Sequence, residues 1–201
     1  MTRATSTRLP AVERRQALID TALRVFTEGS YRGTTTAEIA RAAGVSEPIL
    51  YRHFDSKRDL YLACIDESWR RLRNVWESAR AERRPREWLP AMAGAVFALK
   101  DTKHLMAELW MQAVIEAGDD AEVRRFLRKH MREVHAYVVE IIRRCQGEGV
   151  VHKDRDAEAE AWVFIGGTLL GTIGRRVGGL LGDDDFERIR AARRAWLLVP
   201  K

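Results

Sequence analysis

The chain is 201 residues long, 46% hydrophobic and 32% charged, with a formal net charge of +6. That length can bury a real core, and that balance excludes a disordered or collagen-like chain. The positive excess suits an anionic partner but does not locate one, because residues 1–63 hold ten Lys and Arg against seven Asp and Glu, and the remainder 25 against 22, which is +3 in each part.

The opening MTRATSTRLPAV lacks the apolar stretch of a secretory signal and reads as a flexible arm over residues 1–10, from which Arg3 and Arg8 can reach a minor groove. Helical periodicity follows through nearly the whole chain, and no segment alternates as a strand does. Leu18, Ala22, Val25 and Phe26 share one face of a first helix over 12–27, which Gly29 ends. Thr35 opens a second helix at capping-box distance from Glu38; Ile39, Ala40 and Ala43 face inward, and Gly44 closes it. Ser46 caps a third helix over 47–54. A fourth starts at Asp55–Ser56 and carries Leu60, Cys64, Trp69, Leu72 and Trp76 toward a stop at Pro85. The fifth begins near Arg86 or near Pro90. KHLMAELWMQAVIEAG forms the next and ends at Gly118. Asp119, three residues before Glu122, is placed to cap a long helix striped by Leu127, Met131, Val134, Val138, Ile141 and Cys145. Two more helices cover 156–177 and 184–198. The expected fold is all-α, with about nine helices and the small ones first.

Cys64 and Cys145 stand alone, without CxxC or metal-ligand spacing, as reduced core cysteines of a cytoplasmic protein do. No run of about 18 apolar residues occurs, so no membrane partner is expected. His104 and Glu108 lie four apart on one helix face, but two candidate ligands without a third make no metal site, and no cofactor is expected.

The segment GVSEPILYRHFDSK carries the chemistry. Pro48 falls in the first turn of its helix, where its missing N–H had no intrahelical partner and its fixed φ stiffens the entry. Gly44 supplies the left-handed residue for a sharp turn. Two short helices joined by GVS make a helix-turn-helix, whose second helix can enter a DNA major groove. With Ile49, Leu50 and Phe54 turned inward, Ser46, Glu47, Pro48, Tyr51, Arg52 and His53 are left toward the outer side. Tyr51 and His53 can donate to phosphates, Lys57 can join them from the next helix, and Thr35 and Thr36 can do so from the second. Glu47 and Pro48 lead the helix, where a carboxylate can accept from cytosine N4 and a proline can meet a thymine methyl.

TTTAEIARAAGVSEPILYRHFDSKRDLYLACI resembles the DNA-binding head of the TetR family of bacterial transcription regulators over about residues 11–63. Two positions depart from that pattern: Ser30 stands at the usual glycine before Tyr31, and Thr36 replaces a common aliphatic residue. The resemblance implies a homodimer with a variable helical ligand domain. The expected organisation is an arm over 1–10, a head over 11–56 and a ligand-binding and dimerisation domain over 57–201, with the fourth helix, about 57–83, connecting the two.

A single short helix reads few bases, so a symmetric partner and a palindromic double-stranded operator are expected, with heads about 34–36 Å apart. Gly167, Gly171, Gly174 and Gly178 recur at spacings of four, three and four, a stripe that permits close helix packing within the subunit or across a dimer. Trp162, Ile165, Leu169, Leu170 and Ile173 flank it, and Phe186, Ile189 and Trp196 add apolar area on the last helix. TetR-like proteins dimerise through this pair, which predicts a four-helix bundle from two copies. In the middle of the chain, Trp69, Trp76, Trp88, Met92 and Phe97 are followed by Met106, Trp110, Met111 and Phe126, a density of adaptable side chains that suits a cavity for a small hydrophobic effector. His104, Glu108, His130, His135 and Tyr137 are its candidate polar handles. The expected function is a ligand-responsive transcriptional regulator, a repressor released by its effector. The rivals are an architectural DNA binder without ligand control and an enzyme using the body's histidines, for which no catalytic signature is present.

Overall fold

The computed structural model describes residues 10–98 and 103–200, apart from the side chains of 96–98, 103–108, 172, 175, 176 and 183. The expected arm therefore lies almost wholly outside the described residues, as do the side chains of Phe97, His104, Met106 and Glu108. Nine helices lie among the described residues: α1 Ala11–Glu28, α2 Thr36–Ala42, α3 Glu47–Tyr51, α4 Lys57–Ala81, α5 Pro85–Ala98, α6 Lys103–Asp119, α7 Ala121–Gly147, α8 Ala157–Val177 and α9 Asp183–Leu197. The fold is all-α, and its extended pairing among these residues is a single antiparallel bridge between Val151 and Leu198.

Most differences from the expected boundaries have local causes. The third helix stops at Tyr51 instead of residue 54, because after Ser46 accepts from Ile49 and Leu50 the chain tightens into three-residue turns at Arg52 and His53. Ser46 stands at the N-cap position but makes no side-chain cap bond. Pro85 begins α5, and Pro90 lies inside it. The cap of α7 is Asp120, which accepts from the amides of Glu122 and Val123 at 2.8 and 3.1 Å; Asp119 pairs with Arg32 instead. Gly178 lies past the end of α8 with φ +66°, so it does not extend the glycine stripe.

The described chain divides into two compact units. The first comprises the residues up to Ser68 together with His104–Val123. Its core joins Leu18, Ala22 and Phe26 of α1 to Ile39 of α2, Leu50 of α3, Phe54, and Leu60, Tyr61 and Cys64 of α4, all buried. Each large side chain there contributes about 1.5–3 kcal/mol by leaving water. Tyr61 packs edge-on to Phe26, and its hydroxyl donates to the Leu109 carbonyl at 2.9 Å, which ties α6 to this core. Burial raises the Tyr61 pKa above the usual phenol range. The second unit holds the rest, with a core of Trp76, Met92, Val138, Ile141, Ile142, Cys145, Ala161 and Ile165. Cys64 and Cys145 are both buried and neither forms a disulfide, and burial pushes the Cys145 thiol up to about 11.

Candidate nucleic-acid interface

α3 is anchored from beneath and open above. Leu50 and Phe54 are fully buried and Ile49 half-buried, whereas Ser46, Pro48, Tyr51 and Arg52 are exposed and Glu47 and His53 half-buried. Gly44 adopts φ +67° and turns α2 into this helix, as the GVS turn requires. Thr35 and Glu38 form the expected capping box, with the Thr35 amide donating to the Glu38 carboxylate at 2.8 Å and the Glu38 amide to the Thr35 hydroxyl at 3.2 Å. The Thr35 backbone bond, first among the causes, holds the Glu38 carboxyl below the usual carboxylate range.

The predicted donors fall into two groups. Arg52 and His53 have no side-chain partner among the described residues and are available to an anion. The others are committed. Lys57 donates to the carbonyls of Tyr31 and Thr34 at 2.8 and 3.0 Å and lies 4.6 Å from the Tyr31 ring centre, which leaves one ammonium hydrogen for a phosphate. Thr36 is buried and donates to Glu47, and the Tyr51 hydroxyl lies 3.1 Å from the same Thr36 oxygen. These bonds make the face rigid before any ligand arrives.

The pairs that hold α6 in this unit escaped sequence reasoning. Arg32 bonds Glu116 at 3.0 and 3.1 Å and Asp119 at 2.5 Å, Arg58 bonds Asp120 at 2.8 Å and Glu122 at 2.9 Å, and Gln112 reaches the Tyr31 amide and the Phe26 carbonyl. No local signal reveals partners that lie more than 60 positions apart.

The predicted effector residues are divided between the units. Trp110 and Met111 are half-buried in the first. In the second, Trp69 packs edge-on to Trp76, Tyr137 and His130, while Phe126 stacks on His130 and Trp76 on Tyr137. Trp76 donates to the Met92 carbonyl at 3.0 Å. Arg73 and Arg80 lie 5.1 and 5.9 Å from the Tyr137 ring centre, and Arg80 is 5.1 Å from that of Trp88. A groove of about 160 Å³ lies elsewhere in this unit, between α5, α8 and α9. Its lining includes Leu89, Ala93, Phe164, Gly167, Phe186 and Ile189, with Arg190, Arg193 and Arg194 along α9. Of these, Gly167, Phe186 and Ile189 were expected at a dimer surface.

On α8, Trp162, Leu170, Ile173 and Val177 follow one another at intervals of eight, three and four and stay exposed, Trp162 at 47%. The opposite side of α8, with Ala157, Ala161 and Ile165, is buried. Ile165 thus belongs to the core, Leu169 is half-buried, and Gly171 and Gly174 are buried. A Cβ on Gly174 would meet Leu181 at 3.3 Å, so its close packing is intrachain. Ile189 and Trp196 of α9 are exposed, and the Trp196 ring nitrogen donates to Glu160 at 2.9 Å. Among the described residues no helix is long and apolar enough to cross a membrane, and no group of three or more metal-ligating side chains occurs.

Residues 18–64 match the family model described as bacterial regulatory proteins, tetR family, and residues 85–197 match that of the BetI-type transcriptional repressor, C-terminal. The chain is 34% identical over 124 residues to the HTH-type transcriptional regulator BetI of Rhizobium meliloti, a stretch covering 61% of each protein. It is 50% identical over 58 residues to the HTH-type transcriptional activator FasR of Mycolicibacterium smegmatis, covering 29% of this chain and 26% of that one. The matched stretch thus spans about three fifths of the BetI relative's length and a quarter of FasR's. A TetR-family regulator from Rhodococcus superposes with a TM-score of 0.82 at 17% identity, covering 92% of this chain and 98% of that one. A transcriptional regulator from Saccharomonospora viridis, solved in complex with choline, superposes at 0.80 and 19% identity over 94% of this chain and all of its own. At such identities these two likenesses speak for the fold alone.

Proposed function

We propose, from the premise that this chain belongs to the TetR family of bacterial transcriptional regulators, that it is a cytoplasmic homodimeric repressor that leaves a palindromic operator when a small effector binds its body. The observation that carries this reading is α3 itself, a short helix pinned by Leu50 and Phe54 with Pro48, Arg52 and His53 turned outward. Arg52, His53 and the remaining ammonium hydrogen of Lys57 would meet phosphates, and Glu47 and Pro48 the base edges. The exposed stripe on α8 with Ile189 and Trp196 of α9 would close a four-helix bundle with a second copy and set the two heads at groove spacing. No catalytic step, metal or cofactor enters this reading.

For the effector we infer a compact molecule with mostly apolar surface, received by the aromatic wall of Trp69, Trp76, Trp88 and Tyr137, to which Phe126, Met92 and His130 are neighbours in sequence or packing. Arg73 and Arg80 rest on the Tyr137 and Trp88 rings, which shows that these rings can receive cations. An organic cation such as the choline bound by the Saccharomonospora viridis protein would take the place of these guanidinium groups. The groove favours a second reading, an effector with an apolar body and an anionic head. Its floor is apolar, and Arg190 and Arg194 have no ion-pair partner among the described residues, whereas Arg193 is paired with Glu160. Either ligand acts only through different affinities for the operator-bound and released states.

The test is an electrophoretic shift with DNA from around the protein's own gene, repeated with choline, its neutral isostere 3,3-dimethylbutanol, and decanoate. The expected result is a shifted complex that weakens steeply with salt, as counterion release requires, and is dissolved by one of these ligands. A flat salt profile would count against the phosphate contacts, and indifference to all three against the effector classes named.

A further inference from the structure

We propose that Thr36 sets base preference: its hydroxyl holds one oxygen of Glu47 so that the other is presented at the leading end of α3 to a base amino group. The inference rests on the operator-binding reading above and adds a residue to it that touches no DNA.

The bonding direction follows from donor counting. An ionised carboxylate only accepts, so in its bond to Glu47 Oε1 the Thr36 hydroxyl must be the donor. Its single hydrogen is then spent. The 3.1 Å contact between the Thr36 and Tyr51 oxygens requires a hydrogen from Tyr51. A one-way chain results, from Tyr51 to Thr36 to Glu47. It joins the first residue of α2 to both ends of α3, across 15 positions of sequence. Thr36 is only 9% exposed, which removes it from the phosphate-facing side and gives its hydroxyl a protected bond.

The consequence falls on Glu47. A glutamate at a helix start has three free torsions and loses that freedom when it meets a base. Here the tether has already fixed Oε1, and Oε2 has no partner among the described residues. A pre-set acceptor discriminates more sharply than a mobile one, because a base that lacks a donor at that point leaves the carboxylate desolvated and unpaired. An aliphatic residue at position 36 would fill the same space and release both Glu47 and the Tyr51 hydroxyl.

The experiment selects preferred duplexes from a randomised pool with the wild-type protein and with Thr36→Val, Thr36→Ser and Glu47→Gln. Affinities for single-base variants of the selected site and for an unrelated duplex are then measured at one salt concentration. Glu47→Gln should change the preferred base at one position of each half-site. Thr36→Val should lower discrimination at that same position at least fivefold, with affinity for the unrelated duplex within twofold of wild type. Thr36→Ser, which keeps the hydroxyl, should retain the wild-type profile. The inference is overturned if Thr36→Val leaves that position unchanged, if it weakens all duplexes alike together with thermal stability, as a packing role would, or if Thr36→Ser behaves as Thr36→Val does. Enrichment of no sequence by the wild-type protein would instead strike the operator reading itself, and this inference with it.

Discussion

In the unit built on α1–α3, long polar side chains near the surface are tied down, with Lys57 held between two carbonyls, Thr36 between Glu47 and Tyr51, and Arg32 and Arg58 against the acids around the α6–α7 turn. The unit containing α7–α9 is finished differently. Its interior is closed around Trp76 and Ile142, yet Trp162, Leu170, Ile173, Val177, Ile189 and Trp196 remain in water on neighbouring helices. A rigid polar face is suited to a charged, hydrated polymer whose groups must be met at fixed positions. An apolar stripe opposite a finished core is suited to another protein surface, because leaving it exposed forfeits the burial that its residues offer. The same chain thus carries one surface whose side chains, Arg52 and His53 excepted, are held by its own hydrogen bonds, and one that leaves large apolar side chains exposed.

The largest expected effect breaks the second surface. Trp162→Glu combined with Leu170→Glu places two charges in the stripe while removing side chains that are only partly packed in the single chain. Sedimentation should move the protein from dimer to monomer, and operator affinity should fall by about 100-fold or more, since each head then binds one half-site without the linked second. A variant that stays dimeric at unchanged operator affinity would place the interface elsewhere.

Lys57 tests how complete the first surface is. Replacing it with methionine strands the carbonyls of Tyr31 and Thr34, which it bonds at 2.8 and 3.0 Å. Charge-assisted bonds of this kind contribute about 1.5–3 kcal/mol each at most, so a loss of about 2–3 kcal/mol in denaturant unfolding is expected, with operator affinity down about tenfold. Loss of affinity at unchanged stability would mean that the ammonium spends its charge on phosphate. Tyr51→Ala comes next in size. With its one hydroxyl hydrogen given to Thr36, Tyr51 has none for a phosphate. What is lost is the contact of its exposed ring with the duplex, which should weaken every duplex about equally, by about fivefold in fluorescence anisotropy. A change of preferred sequence without loss of general affinity would contradict a positioning role.

The order and number of helices were legible because each has a local cause: the Thr35–Glu38 box, Gly44 in the left-handed region, and the α7 stripe from Leu127 to Cys145. The inner and outer sides of the α3 segment were legible too, since Leu50 and Phe54 face in and Tyr51 and Arg52 face out. What each donor is doing was not. Thr36 and Lys57 read as phosphate donors because their type permits it, while their partners, Glu47 and the carbonyls of Tyr31 and Thr34, are fixed only when separate segments meet. Asp119 and Asp120 differ by one position, and only the turn decides which caps α7 and which takes Arg32. Cavities were the least legible, because Trp and Met densities mark a core and a pocket alike, and the groove lies where a dimer surface was expected.

The smallest effect concerns Asp120, where two roles of one carboxylate can be separated. Oδ1 caps α7 and Oδ2 accepts from Arg58 at 2.8 Å. The bond from Arg58 is the largest cause holding the Asp120 carboxyl below the usual carboxylate range, ahead of the desolvation that opposes it and the two capping amides that add to it. A folded-state pKa depressed in this way gives stabilisation that is complete at neutral pH and is lost only as pH falls through the depressed value, after the unfolded chain has begun to take up the proton. Asp120→Asn keeps an oxygen for the cap and removes the charge. The expected result is a modest loss of thermal stability at pH 7 and a shallower decline on acidification than in wild type, with both differences disappearing at pH 2. Glu38 is also depressed and contributes its own acid decline, so the quantity to compare is the difference between the two proteins. An unchanged difference from pH 7 to pH 2 would assign Asp120 to capping alone, and would leave Arg58 to Glu122, which it meets at 2.9 Å.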